Sequence, residues 1–454
     1  MFDFTQNFSS LPVKLISVED KFSQEKHGRF LYYFVLFCLL LWLIKSGSYP
    51  AYAQRLSNED DILMFRGDCT RSLSGVGKVP RQPKVLWKFK TGRILEGKRE
   101  RRGVPPGVYW QGTGWTGQPA KVGKRYYFGS VDSHVYCLDA DTGALIWKYK
   151  TGHNVKGSVA ISGGRIYFGS RDNHLHCISL ADGKLIWKRH IGNDMDSSPC
   201  VIDDRIYMGG EDGYIYCFSA QNGDVIWHFK TDGSCESSPS VVNGRVYAGA
   251  AHGWLYCVSQ ETGELIWKFR TGDDTDSSPV YVNGRIYVGC ESGRLFCLEA
   301  SSGKLIWSGK WNQGFWATPA VVDNRVYIGC SNGYMYCLDA DSGKVVWKYK
   351  TPGRIWGSAA VTDGCVVFGG GDGKLYCLQA TDGKLIWFFN AGGYFLSTPC
   401  VAGNRILIGN HNGFVYCIGE ETEQVDDNLF HLSESAKRHR NGNLEKTSSI
   451  FTLD

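Results

Sequence analysis

Seven tryptophans, Trp147, Trp187, Trp227, Trp267, Trp307, Trp347 and Trp387, stand forty residues apart, and an eighth, Trp87, lies sixty before the first. A second ladder keeps the same period: Cys137, Cys177, Cys217, Cys257, Cys297, Cys337, Cys377 and Cys417. Intervals this regular mean that one local structure is built repeatedly, so most of the 454 residues form a set of equal units rather than unrelated domains.

One unit runs from Asp276 to Lys310 and reads, after its leading aspartate, SSPVYVNGRIYVGCESGRLFCLEASSGKLIWSGK. Four short β-rich runs, PVYV, RIYVGC, RLFCLEA and KLIWSGK, are separated by Asn283-Gly284, Ser292-Gly293 and Ser302-Gly303. Such pairs supply the positive φ that tight hairpin turns need. Four strands and three tight turns make an antiparallel meander. One meander cannot bury both of its faces, so neighbours must pack on each other. A four-stranded unit of forty residues has the spacing of a β-propeller blade. The composition, with 56 Gly and 15 Trp, fits turns and short strands rather than helical bundles.

The ends of the repeat predict how the ring closes. Lys84 to Lys90 (KVLWKFK) is a Trp strand with no sheet before it, whereas the last repeat ends at Cys417 and continues as TEQVDD at 422–427, with no Trp strand. The expected fold is therefore all-β: an eight-bladed β-propeller of four-stranded antiparallel blades, closed by the N-terminal strand at Trp87. The expected organisation is an N-terminal extension at 1–53, an approach segment at 54–83, the propeller at 84–420 and a polar tail at 421–454.

Phe30 to Ile44 is a run of fifteen apolar residues without a charge. That is short of the roughly twenty that span a bilayer comfortably. It has the length of an export signal's apolar region, and Ala51-Tyr52-Ala53 offers a cleavage site before Gln54. The expectation is an exported protein, periplasmic or anchored in the membrane and facing outward, with membrane contact only through this segment. No cysteine follows the run in the small-residue setting of a lipid site. A net charge of +5 is small for the length and argues against a nucleic-acid partner. Sixteen cysteines are too dilute for a disulfide scaffold.

The spacing C-x-D-x-x-T-G-x-x-x-W is complete at Cys137, Asp139, Thr142, Gly143 and Trp147. The indole suits the gap between adjacent blades, with cysteine as the small residue beneath it. The eight ladder cysteines are read as structural thiols, too far apart around a ring for disulfides or a metal cluster. Cys290/Cys297 and Cys330/Cys337 are the places where a cross-strand bridge is conceivable. The segment resembles the tryptophan-docking motif of PQQ-type propeller repeats, whose usual small residue is alanine. The resemblance covers about residues 60–420, including a lead-in at Met64-Phe65-Arg66-Gly67-Asp68, and is close to the BamB-like group. It implies an eight-bladed ring. In quinoprotein dehydrogenases of that architecture it further implies a disulfide between adjacent cysteines, a Ca²⁺ ion and a catalytic aspartate. This chain has no Cys-Cys pair and no C-x-x-C-H haem site, so no residue is assigned a catalytic, cofactor or metal role.

Function is expected where the repeats differ. The residue before each S-S-P-like segment should face one mouth of the channel: Thr116, Lys156, Asp196, Glu236, Asp276, Trp316, Trp356 and Leu396. Asp194, Asp273 and Asp274 extend an acidic arc, and Phe315, Arg354, Tyr394 and Phe395 extend an aromatic one. Loops on a rigid scaffold often carry binding function, and aromatics beside charges suit a peptide or glycan. The insertion at 95–114, with Lys98, Arg99, Arg101 and Arg102, belongs to the same loops. The leading expectation is a monomeric, non-catalytic scaffold that binds envelope proteins or peptides, as the BamB-like resemblance implies. The alternatives are a carbohydrate or peptide sensor and a PQQ-dependent dehydrogenase.

Overall fold

The computed structural model describes residues 60–72, 75–92 and 117–420. They form eight four-stranded antiparallel sheets. Blades 1 to 7 begin at residues 120, 160, 200, 240, 280, 320 and 360, and each is a meander ending at its Trp strand. Blade 8 takes three strands from 400–419 and its outermost strand from Lys84–Lys90, with Trp87 opposite Cys417. The ring is therefore closed as its ends predict. The apolar run at 30–44, the Ala51-Tyr52-Ala53 site, Thr116, the insertion at 95–114 and the tail at 421–454 lie outside the described residues.

No blade owns a core. Each of the eight apolar clusters is shared by two neighbouring sheets. Ala120, Tyr127 and Val135 of blade 1, for example, meet Ile161, Ile166 and Phe168 of blade 2. The seam follows the same rule: Trp87, Cys400 and Leu407 of blade 8 meet Tyr126, Phe128 and Leu138 of blade 1. The middle strands are accordingly apolar nearly throughout, because both their faces are covered. Each outermost strand alternates and reaches solvent.

The tryptophans are the interblade wedges. Each pairs in register with its blade's ladder cysteine, as Trp147 does with Cys137, and these thiols are fully buried. The indole's face, however, lies on the next blade. Trp307 covers the turn at Gly343, and the relation recurs from Trp87 over Gly143 to Trp347 over Gly383. Expecting the cysteine to be the surface beneath the indole put that surface one blade short. Five indole N–H groups also donate to a carbonyl of that next blade, as Trp307 does to Ala340 at 2.9 Å. Trp147 and Trp187 bury theirs without a partner. Trp387 has no following turn, because blade 8's last strand comes from the N-terminus; it donates instead to Pro80 O at 2.7 Å. All cysteines among the described residues are free, those of the two hairpin pairs included.

An inner belt of hydroxyls ties the sheets near the axis. The Ser198 hydroxyl accepts from Ser158 N–H, Ser238 from Ser198, Ser278 from Ser238, Thr318 from Ser278 and Ser358 from Thr318, at 2.9–3.3 Å. This accounts for the second serine of the S-S-P-like segment.

The channel is plugged from below. Backbone hydrogen bonds attach the stretch from Ile62 to Thr70 to the innermost strands of blades 1, 2, 4 and 5. Arg66 and Arg71 are wholly buried inside. Arg66 donates to Pro319 O (2.9 Å) and Ala359 O (2.6 Å), and Arg71 to Ser198 O (3.0 Å) and Pro239 O (2.9 Å). Two guanidinium groups thereby satisfy inward carbonyls on opposite sides of the ring. Removal from water lowers both arginine pKa values, Arg66 to about 10. The described part of the approach segment, 60–72 and 75–83, is thus a structural part of the ring.

The wedge makes a testable demand on one glycine. Gly343 has φ +68°, and a Cβ there would stand 2.6 Å from Trp307 Cε3. Gly284, at φ +78°, has nothing within 4 Å of such a Cβ. Gly284→Ala is expected to cost only the ~1–2 kcal/mol of a left-handed alanine. Gly343→Ala should cost about 1–3 kcal/mol more through overpacking. Equal losses in urea denaturation would contradict the wedge.

Candidate functional site

The mouth is built by loops that leave one blade's last strand and enter the next blade's first. The turns between second and third strands share this rim, as the bond from Arg171 N to Asn154 O (2.9 Å) shows. Along each loop the chain alternates. The residue at 155, 195, 235, 275, 315, 355 or 395 points down onto a glycine of its neighbour's second strand and is fully buried or nearly so. The next residue faces the mouth at 156, 196, 236, 276, 316 and 356, whereas Leu396, expected there as well, is buried. Phe315 and Phe395 belong to the buried set, so their expected place on the mouth is corrected: both rings are core.

The mouth-facing residues do converge, because loops forty residues apart are neighbours close to the axis. Lys156 Nζ lies 2.8 Å from Asp196 Oδ2. Arg171 also grips Asp196, with Nε 2.9 Å from Oδ1, and reaches Glu211 Oε1 at 3.1 Å. One carboxylate oxygen each from Asp196, Glu211 and Glu236 lies within 4.8 Å of the others. On the far side the Trp316 and Trp356 rings stack at 6.1 Å and 26°, and the Arg354 guanidinium stands 5.7 Å from the Trp356 ring centre. Tyr394 is exposed and packs edge-on to His411 at 5.8 Å. With the plug as floor, the mouth is a cup with one acidic and one aromatic wall.

Arg171, Glu211 and Glu291 were not singled out in the sequence. They follow the second strands of blades 2, 3 and 5 at a period of forty, so reading that column would have found them.

The acidic wall is unevenly neutralised. Burial opposes the charge on Asp196, yet Lys156 and Arg171 hold its carboxyl well below the usual range. Glu211 is pushed up to about 8 by burial and by Asp196 and Glu236, against the pull of Arg171. Glu236 is raised by the water-poor wall and Asp196, and Asp276 is raised by burial, Glu236 and Glu291. Two cations therefore serve the Asp196 end, and the Glu236–Asp276 end carries mutually repelling acids.

The acidic wall does not suit the quinone expected of a dehydrogenase. A tricarboxylate cofactor needs cations, and Lys156 and Arg171 are already bound to Asp196. The remaining wall would repel it.

A raised carboxylate takes up protons on folding, so its stabilising effect is full at low pH and fades as pH rises through its folded value. Relative to Glu211→Gln, the wild type should lose stability between pH 4.5 and about 8, the unfolded and folded values of Glu211. Parallel curves for the two proteins in a denaturation series over that window would contradict this assignment.

Comparison with known proteins fits this architecture. The sequence profile described as "Beta-alanine-activating enzyme, beta-propeller" matches residues 195–437, and that described as "Outer membrane protein assembly factor BamB" matches 131–256. No curated protein matches the chain by sequence. Among solved structures, BamB from Moraxella catarrhalis has a TM-score of 0.61 at 16% identity over 75% of this chain and 99% of its own. A europium-containing methanol dehydrogenase has a TM-score of 0.68 at 14% identity over 81% and 100%. The computationally designed Ika8 protein has 0.62 at 15% identity over 68% and 97%. At these identities the structures share the fold alone. The first profile covers more than half of the sequence, and the chain belongs to the β-propeller family that it describes, with PQQ-like repeats of the kind the second matches.

Proposed function

We propose that this protein is a non-catalytic propeller scaffold of the cell envelope, docking protein partners through the cup in a BamB-like manner. The carrying observation is that the Glu236–Asp276 wall runs directly into the stacked Trp316–Trp356 pair on successive loops of one rim, above the buried Arg66 and Arg71. An extended segment bearing lysine or arginine fits it. Its cation relieves the repulsion among the acids, and its stem or a neighbouring side chain lies on the indoles. The plug beneath the cup, with Arg66 and Arg71 buried in it, favours a ligand that enters and leaves by the rim. The apolar run at 30–44 supports export, with the cup presented outside the cytoplasm. A neutral glycan would stack on the indoles and donate hydroxyls to the acids but brings no cation to relieve their repulsion, so the protein partner is preferred.

The test is fluorescence anisotropy with a lysine- and arginine-rich peptide against a glutamate-rich one. The expected result is binding of the basic peptide alone, weakening with salt. It should fall about tenfold or more in Glu236→Gln/Asp276→Asn and in Trp356→Ala. Binding indifferent to peptide charge, or dye-linked dehydrogenase activity on adding PQQ with Ca²⁺, would overturn the proposal.

A further inference from the structure

The ring contains its own control for a second site. At the turn between second and third strands, blades 1, 3 and 7 place an aspartate four residues before a tyrosine. The tyrosine hydroxyl donates to the carboxylate: Tyr136 to Asp132 at 2.7 Å, Tyr216 to Asp212 at 2.7 Å and Tyr376 to Asp372 at 2.6 Å. The fold is thus well served by a phenol at this place. Blade 2 departs from it. Its turn and third strand carry Asp172, His174 and His176, and His190 on the fourth strand pairs in register with His174. No other blade has ligand-type side chains at all four of these positions.

The departure brings ligands together. His176 Nε2 lies 3.1 Å from both carboxylate oxygens of Asp172. His174 Nδ1 rests 2.7 Å from the Asp172 carbonyl oxygen and 3.6 Å from its Oδ1, an arrangement that His134 and Asp132 repeat in blade 1, so His176 is what blade 2 adds. One ligand atom from each of the three falls within 4.8 Å of the others. Ligands about 2.0–2.2 Å from a tetrahedral ion stand roughly 3.3–3.6 Å apart, so the triangle closes when the His174 ring turns from the Asp172 carbonyl toward the carboxylate and His176. Surrounding contacts hold it in place. The His176 ring lies flat on Phe168 at 5.2 Å, its Nδ1 is 3.2 Å from the Tyr149 hydroxyl of blade 1, and Gly152 N–H donates to Asp172 Oδ2 at 2.9 Å. Outer contacts of this kind orient metal ligands. His176 is buried, whereas His190 is exposed, so the triangle is open on one side. The ring of His190 stands edge-on to His174 at 5.2 Å, beside that opening.

We propose that Asp172, His174 and His176 bind a divalent cation of the zinc class, with the fourth position open to water or His190. One carboxylate and two imidazoles suit Zn²⁺ or Cu²⁺ rather than Ca²⁺ or Mg²⁺, which prefer all-oxygen shells. Three protein ligands with an open place are the pattern of a site that exchanges its fourth ligand rather than of a closed structural site. The site lies at the cleft between blades 1 and 2, on the same rim as the cup. It stands independently of the docking role.

The probe is Zn²⁺ alone, titrated calorimetrically into the full chain, with the visible spectrum of the Co²⁺ form as a second readout. His176→Tyr recreates the pairing used in blades 1, 3 and 7 and so should fold. The wild type is expected to bind one equivalent with a rise in Tm and a tetrahedral Co²⁺ band. In His176→Tyr, affinity should fall about 100-fold or more, with the metal-free Tm retained. No stoichiometric binding in the wild type, or unchanged binding in His176→Tyr, would overturn the site. A His176→Tyr protein that unfolds without metal would show the histidine to be a structural partner of Asp172 and would equally overturn it.

Discussion

An indole lying on a glycine of the next sheet is the contact from which this molecule follows. A single blade has one short inner strand of three residues and an outer strand open to water, so it cannot close a core alone. Packing Trp307 over the Gly343 turn, and its equivalents around the ring, makes every core common property of two blades. Stability is then a matter of neighbours, and a repeat without a neighbour would expose an entire apolar face. The N-terminal strand removes that penalty by supplying blade 8's outer edge and its wedge, Trp87.

The seam also explains the approach segment. Blade 8 has no third-to-fourth turn, so Trp387 lacks the platform the other wedges use, and Pro80 stands in its place. The Glu420 carboxylate accepts the Gln82 N–H at 2.9 Å just beyond. The same segment carries Arg66 and Arg71 into the channel, where their planar forks meet carbonyls of four blades. The lower entrance is spent on structure, which leaves the upper rim for variation. That division concentrates Lys156, Arg171, the acids and the indole pair on one rim.

Much of this was legible in the sequence because period and turn chemistry agree. The Trp and Cys ladders gave the count, X-Gly pairs gave the hairpins, and the unmatched ends at Trp87 and Cys417 gave the closure. What escaped depended on side-chain direction. Phe315 and Trp316 are adjacent aromatics, and alternation along an extended loop sends one to the core and the other to the mouth. Their columns separate them, since Val155, Met195 and Ile355 share the Phe315 position and are buried. The plug was hidden for another reason. Nothing in the sequence marks Arg66 and Arg71 for burial, and only a channel lined by inward carbonyls makes it favourable. The imidazoles of blade 2 were hidden by the regularity itself, which draws attention to what the blades share.

The central claim is that the ring is closed by Lys84–Lys90 acting as a true outer strand of blade 8. Amide hydrogen exchange of that segment measures it directly. Closure predicts protection of the inward-bonded amides of Lys84–Lys90 comparable to that of Leu145–Lys150 or Leu385–Asn390 in complete blades. Exchange of Lys84–Lys90 at the rate of an unfolded peptide, with the other outer strands protected, would mean an open ring.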